Sequence, residues 1–346
     1  FTPVDLPHDW QIRHADDLYR DGTLFYRKYF FVTDVSGTRR MLWFGGAYMD
    51  TTVFVNGTEV GQWKYGYTSF WFDITDALHE GQNEVLVRCN LRHPNSRWYS
   101  GAGLYRNVEL WEAPDLHLMP DGLYVAAKEG DNGAWTVAVT AEAGSVTVAS
   151  TGRTLTLHLT DDNGSLLGTA AIPADAWAAL PSPDGWRTGK ETTIYKASHT
   201  FTLQDPALWD LDAPSFYHIT AELTGADGVT DTLTTRFGCR TIEATPDCGL
   251  LVNHKRVLIK GVCIHHDFGC LGSAFEYSAA KRQLEILKSM GVNSIRTGHT
   301  PPAPQFMDLA DEMGILMDVE SFDCWRSGKN PYDYGRFFDE WQEKDV

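Results

Sequence analysis

Three short groups of residues in the last hundred of this 346-residue chain carry the side chains best suited to chemistry. His265-His266-Asp267 is the first, Arg296 with His299 the second, and Glu320, Asp323 and Trp325 the third. Each group lies at or just beyond the end of an apolar run. Histidine offers a ring donor or acceptor, arginine a fork of donors, and a carboxylate accepts from two neighbouring hydroxyls at once. With a flat indole beside them, such a set suits a ligand made of many hydroxyls, a sugar. Arg97, Trp98 and Tyr99 precede a glycine-rich stretch and form a second source of contacts, as a loop reaching over the same pocket. Asp267 and Glu320 also have the types of a carboxylate pair for general acid–base or nucleophilic work. Plainer roles compete. Arg296 pairs equally well with a strand-end carboxylate such as Glu320, because buried arginine is usually paired. His265 suits a satisfied core histidine, and the 97–99 loop suits the edge of a sandwich.

Those groups need strands to carry them. Arg256–Ile264, Val292–Arg296 and Ile315–Val319 read as apolar strands. Between them, Ala280, Leu284 and Leu287 recur at helical spacing up to Gly291. Pro304 opens a second helix with Phe306, Leu309, Ala310 and Met313 on one face, and Phe337, Phe338 and Trp341 start a third. Alternating strand and helix predicts a parallel sheet with right-handed crossovers. The natural candidate is the first three units of a (β/α)8 TIM barrel, whose C-terminal strand ends carry the active site.

Before about residue 243 the period is that of strands. Leu24–Val32, Arg40–Phe44, Thr52–Val55 and Glu84–Cys89 are separated by turn dipeptides. Asn56-Gly57 is the strongest hairpin signal, since both residues tolerate the positive φ of a tight turn. Residues 1–113 therefore predict a jelly-roll β-sandwich. Trp135–Ala141, Ser145–Ala149, Thr154–Leu159, Thr193–Leu203, Tyr217–Leu223 and Asp231–Phe237 alternate apolar with polar. They predict an immunoglobulin-like sandwich over 114–242, with the barrel segment over 243–346.

The net charge is −17, which argues against nucleic acid and anionic membrane as partners. No run of 18 apolar residues is present. Twelve tryptophans suit stacking on sugar rings and suit sandwich cores equally. The six cysteines lack metal-type spacing and read as reduced thiols, favouring a cytoplasmic over a secreted setting. No leader is visible, although the chain opens on Phe1.

An ordered series of motifs is similar to glycoside hydrolase family 2. It begins with Pro7-His8-Asp9-Trp10, Val55-Asn56-Gly57, Gly66-Tyr67, Phe72-Asp73-Ile74-Thr75 and the run from Arg97 to Val108. Trp209, Pro214-Ser215-Phe216-Tyr217 and Arg236-Phe237-Gly238 follow. Lys260 to Asp267, Ile295 to Pro302 and Glu320 to Trp325 resemble its first three barrel strands, with His-His-Asp as in the β-galactosidase-like branch. The departures are Gly298, where the family usually has Ser, and Val319, where it usually has a carboxylate. Asp318 one place earlier raises the expectation of a local shift.

The resemblance implies a retaining exo-β-glycosidase acting on terminal β-linked sugars, with β-galactosides favoured. β-Glucuronidase, β-mannosidase and a non-catalytic carbohydrate-binding protein stand as alternatives. It also implies that the acid/base and nucleophile glutamates lie on the fourth and seventh strands, downstream of these residues. The Asp267–Glu320 pair is set aside on that ground, and the chain alone is expected to be inert, with unpaired sheet edges. His265, His266, Asp267, Arg296, His299, Glu320, Asp323, Trp325, Arg97, Trp98 and Tyr99 are the expected sugar contacts. No cofactor is required. Some relatives use magnesium or sodium, but the carboxylates show no diagnostic ligand spacing. Homo-oligomerisation is open.

Overall fold

The computed structural model describes residues 1–145, 152–180, 193–225 and 228–345. They divide into two compact units. One unites Phe1–Ser36, Arg40–Glu112 and Lys260–Val346, so the first sandwich and the βα segment pack together. The other comprises Gly37–Arg39 and Ala113–Ile259.

The first sandwich has two sheets. One orders the strands Gly22–Val32, Gly81–Leu91, Thr51–Val55 and Thr58–Trp63; the other orders Phe70–Asp73, Thr38–Phe44 and Val108–Pro114. Asn56 and Gly57 adopt φ of 49° and 80° between Thr51–Val55 and Thr58–Trp63, the hairpin their types demand. Alternation sets the core: Val85, Val87, Cys89 and Leu91 are buried along one strand. Trp63, Phe44, Phe70 and Phe72 are almost fully enclosed, and stacked rings join Phe70 to both Phe44 and Trp63. Each such side chain contributes about 1.5–3 kcal/mol on burial.

The βα segment has parallel strands Gly261–Ile264, Ser294–Thr297 and Leu316–Val319, paired in that order. Helices Tyr277–Ser289 and Pro304–Glu312 bury Ala280, Leu284, Phe306, Leu309 and Ala310 together with Ile295 and Ile315. Pro304 opens its helix, where a missing N–H costs nothing. The helix Phe338–Asp345 buries Phe338 and Trp341, and Trp341 meets Trp63 edge-on at 6.0 Å.

Two expectations are corrected. The run Arg256–Ile264 is not one strand. Lys255–Arg256 pairs antiparallel in a small sheet with Gly249–Val252 and Ile242–Thr245, and the barrel strand begins at Gly261. Apolarity alone marked Val257, Leu258 and Ile259, which are a connection; Leu258 is 71% exposed. Nor is there a shift at Asp318: it lies in register opposite Arg296, which lies opposite Cys263, with no bulge. The two outer strands are also less buried than double-covered strands should be, because only three strands are here to enclose the inner face.

The second unit is a sandwich of two four-stranded sheets. They order Leu166–Pro173, Thr154–Asp161, Tyr217–Gly225 and Gly228–Phe237, and Ala178–Leu180, Thr193–Gln204, Ala134–Ser145 and His117–Glu129. Its core of Val137, Val139, Leu155, Leu157, Leu159, Ile219, Ala221 and Leu223 comes from alternate positions. Of the expected strand Ser145–Ala149, residues 146–149 lie outside the described residues. No helix among the described residues is long and apolar enough to cross a membrane.

Candidate functional site

The three polar groups converge within the first unit, at the C-terminal ends of the parallel strands. The register places Cys263, Arg296 and Asp318 side by side on the face away from the helices' core. Arg296 extends from the middle strand and donates from Nη2 to Glu320 Oε1 at 2.5 Å and from Nη1 to Cys263 Sγ at 3.2 Å. His299 Nδ1 stands 2.7 Å from Glu320 Oε2. A carboxylate only accepts, so the proton sits on Nδ1, and the 3.1 Å approach of Arg296 to that atom is contact rather than a donated bond. Burial opposes ionisation of Glu320, but the bonds from His299 and Arg296 outweigh it and hold the carboxyl below its ordinary range.

His265 and His266 diverge, as successive residues at a strand end must. His265 stacks on the Trp98 indole at 5.5 Å with planes 8° apart, and its ring meets His299 edge-on at 5.9 Å. Trp98 also lies 5.4 Å from His299. His266 turns toward the first sandwich. Its Nε2–H donates to the Ser100 carbonyl at 2.9 Å, and its ring meets Tyr67 and Tyr105 at 5.1 and 5.6 Å. Burial pushes its pKa down to about 4, so the ring is neutral at physiological pH. Asp267 follows it, close enough for its charge to act on both His266 and Tyr99.

The loop Arg97-Trp98-Tyr99 does reach the barrel strands. Trp98 Nε1–H donates to Tyr67 Oη at 3.2 Å, while Arg97 Nη2 donates to Asp323 Oδ1 at 2.6 Å. The same oxygen accepts from Lys329 Nζ at 2.7 Å. Burial opposes ionisation of Asp323 too, yet the two cations keep its pKa below the ordinary carboxylate value. Tyr99 Oη–H donates to Asp9 Oδ2 at 2.6 Å. Trp325 is 60% exposed and leans on Phe322 and Phe338.

The geometry therefore sorts the eleven expected residues. His265, Arg296, His299 and Glu320 form one cluster walled by Trp98. His266, Tyr99, Arg97 and Asp323 are bonded to protein groups. Asp267 and Trp325 stand at the margin. Among the described residues, no group of three or more His, Cys, Asp or Glu side chains is placed to hold a metal ion.

Two residues outside that set hold it together. Asp9 is buried and accepts from Gln11 N, Ala102 N and Tyr99 Oη, and also from Ser273 N at 2.8 Å and Ser273 Oγ at 3.1 Å, in the barrel segment. Arg106 is buried and donates to the carbonyls of Gly45, Tyr67 and Pro301. Both lie in quoted motifs, Pro7-His8-Asp9-Trp10 and Tyr105-Arg106-Asn107. A charged residue fixed inside an otherwise apolar or glycine-rich run was the available signal.

Three family models match the chain in order. "Glycosyl hydrolases family 2, sugar binding domain" matches residues 1–114, "Glycosyl hydrolases family 2" matches 121–240, and "Glycosyl hydrolases family 2, TIM barrel domain" matches 244–335. The chain is 36% identical to the β-galactosidase BoGH2A of Bacteroides ovatus over 99% of its own length and 40% of that protein's. It is 26% identical to a β-glucuronidase of Bacteroides fragilis, over 92% of this chain and 46% of the relative. The crystal structure of a glycosyl hydrolase family 2 member from Bacteroides cellulosilyticus superposes with a TM-score of 0.87 at 31% identity, covering 99% of this chain and 45% of that one. The chain thus spans less than half the length of these relatives.

Proposed function

Since this chain belongs to glycosyl hydrolase family 2, we propose that the complete protein is a retaining exo-β-glycosidase, with terminal β-galactosides as its favoured substrates. The observation that carries the reading is the cluster of His265, Arg296, His299 and Glu320 beneath the Trp98 indole. It brings donors, acceptors and a flat wall together at the strand ends where a barrel does its chemistry. With Nδ1–H committed to Glu320, His299 has Nε2 left to hydrogen-bond a sugar hydroxyl. Trp98 supplies the stacking surface.

Glu320 is not the proton donor in this reading. A general acid must be protonated near neutral pH, and Arg296 and His299 favour the ionised form. The acid/base and nucleophile glutamates belong to strands beyond residue 346, so the 346-residue chain by itself is inactive. The chemistry requires no organic cofactor; a magnesium or sodium ion near the pocket, as in some relatives, is compatible with it. The six cysteines are all free thiols, which supports a cytoplasmic setting. The relative named β-glucuronidase supports a second reading within the family, hydrolysis of β-glucuronides.

The test is hydrolysis of aryl β-galactoside, β-glucuronide, β-mannoside and β-glucoside by the gene-length protein, with the 346-residue chain alongside. Turnover of the galactoside by the long form alone is the expected result. Preference for the glucuronide replaces the sugar assignment. Turnover by the short chain overturns the assignment of catalysis to downstream glutamates. Inactivity of both forms overturns the enzyme reading.

A further inference from the structure

We propose that Arg97 and Asp323 are a positioning pair that latches the Trp98 wall onto the sugar pocket, an inference that rests on the glycosidase reading above. The loop carrying Trp98 is pinned on its sandwich side. Asn95 is buried, accepting from Tyr48 Oη–H at 3.0 Å and donating to the Arg92 carbonyl at 2.6 Å. Tyr99 is held by Asp9 at 2.6 Å. Between those anchors, Ser96 Oγ donates only to the Trp98 carbonyl, within the loop itself. Trp98 Nε1–H is held on the sandwich side by Tyr67 Oη at 3.2 Å, and the Pro94 carbonyl before the loop accepts from Tyr332 N–H at 3.2 Å. Arg97 gives the loop itself a side-chain bond to the segment after the third barrel strand, 2.6 Å from Asp323 Oδ1. The indole beside it spans the two histidines, stacked on His265 and tilted against His299.

The two ends of the latch differ in a way that matters. The Asp323 carboxylate is 8% exposed and is paired with Lys329 as well, whereas the Arg97 side chain is 51% exposed. Removing Arg97 therefore leaves Asp323 paired, not a bare buried charge, and the variant folds. What is lost is the tether. A half-exposed pair of this kind is weak and weakens further as salt screens it. Its loss shows as a several-fold change in substrate binding and leaves the distant chemistry alone.

The experiment uses the gene-length protein and its best aryl β-glycoside. Arg97→Ala is expected to raise KM about three- to fivefold at low salt with kcat within about twofold, and Arg97→Lys to recover most of the loss. Wild-type KM should climb with ionic strength toward that of Arg97→Ala, whose own KM stays flat. In a Trp98→Ala background, Arg97→Ala should add nothing, because it acts through the indole. Additive losses, or an unchanged KM in Arg97→Ala, overturn the latch. Acrylamide quenching of tryptophan emission reads it without turnover. Arg97→Ala should increase quenching, and the increase should vanish in Arg97→Ala/Trp98→Ala; equal quenching of Arg97→Ala and wild type also overturns it. An inactive wild type instead overturns the glycosidase reading, and the quenching comparison still decides whether Arg97 holds Trp98.

Discussion

His299 Nδ1 lies 2.7 Å from Glu320 Oε2, so a carboxylate fixes which ring nitrogen of the site histidine carries its proton. Arg296, bonded to the other carboxylate oxygen, prevents Glu320 from turning away. The unit works as a whole: the arginine places the carboxylate, and the carboxylate orients the imidazole.

Glu320→Gln should therefore weaken the site without unfolding it. In the gene-length protein kcat/KM is expected to fall on the order of tenfold, since the neutral amide no longer holds both partners as charge-assisted bonds. A value within twofold of wild type would remove the carboxylate from the mechanism.

The same pair makes a pH prediction. Glu320 is held below its ordinary pKa when folded, so the unfolded chain binds more protons in acid. Its contribution to stability is complete above the unfolded value of about 4.3 and is lost as pH falls through the lower folded value. Urea unfolding of the 346-residue chain between pH 6 and 3 should be less pH-dependent in Glu320→Gln than in wild type. Parallel curves would contradict the pairing.

His266 acts in the same direction, over a higher pH window. Burial lowers its pKa to about 4, so the folded state stays neutral while the unfolded state protonates below about 6.5. Stability from this group is complete above 6.5 and is lost progressively as pH drops toward 4. In NMR titration the His266 ring should hold its neutral shift down to about pH 4; a midpoint near 6.5 would show the ring exposed.

Arg106→Met should separate the barrel segment from the first sandwich. The guanidinium joins Gly45 and Tyr67 to Pro301, and its loss leaves three inward carbonyls without their donor. A cost of about 3 kcal/mol is expected from chemical denaturation, with faster proteolysis between residues 260 and 345. A cost below about 1 kcal/mol would mean the joint is made elsewhere.

Two glycines with similar φ should respond differently. Gly101 sits at φ +65°, where a Cβ would stand 1.8 Å from Ser273 Oγ and 2.9 Å from Asp9 Oδ2. Gly57 sits at φ +80° in open space. Gly57→Ala is expected to cost about 1 kcal/mol of backbone strain, and Gly101→Ala at least twice that, because the Asp9 hub must also move. Equal costs would deny the close approach.

Local pattern was enough to read the Asn56-Gly57 hairpin, the helix begun by Pro304 and the three parallel strands, because turn geometry and periodicity act over a few residues. It failed at Val257–Ile259, where apolar residues serve a connection rather than a sheet. Asp9 shows the limit from the other side. Its motif is visible, but a carboxylate that receives Tyr99, Ala102 and Ser273 is defined by partners up to 264 positions away.

By itself, the sequence determined the three kinds of domain, the family, and which polar and aromatic residues are candidates for the site, all of which depend on residue type and spacing along the chain. Only the tertiary structure decided which of those residues face one another. His265 and His266 are neighbours in sequence, yet one stacks on Trp98 in the cluster and the other is bonded to Ser100. Arg97 and Asp323, far apart in the chain, share a hydrogen bond. Side-chain direction follows from strand register and from the packing of the first sandwich on the barrel segment, and both are long-range outcomes of burying the same apolar faces.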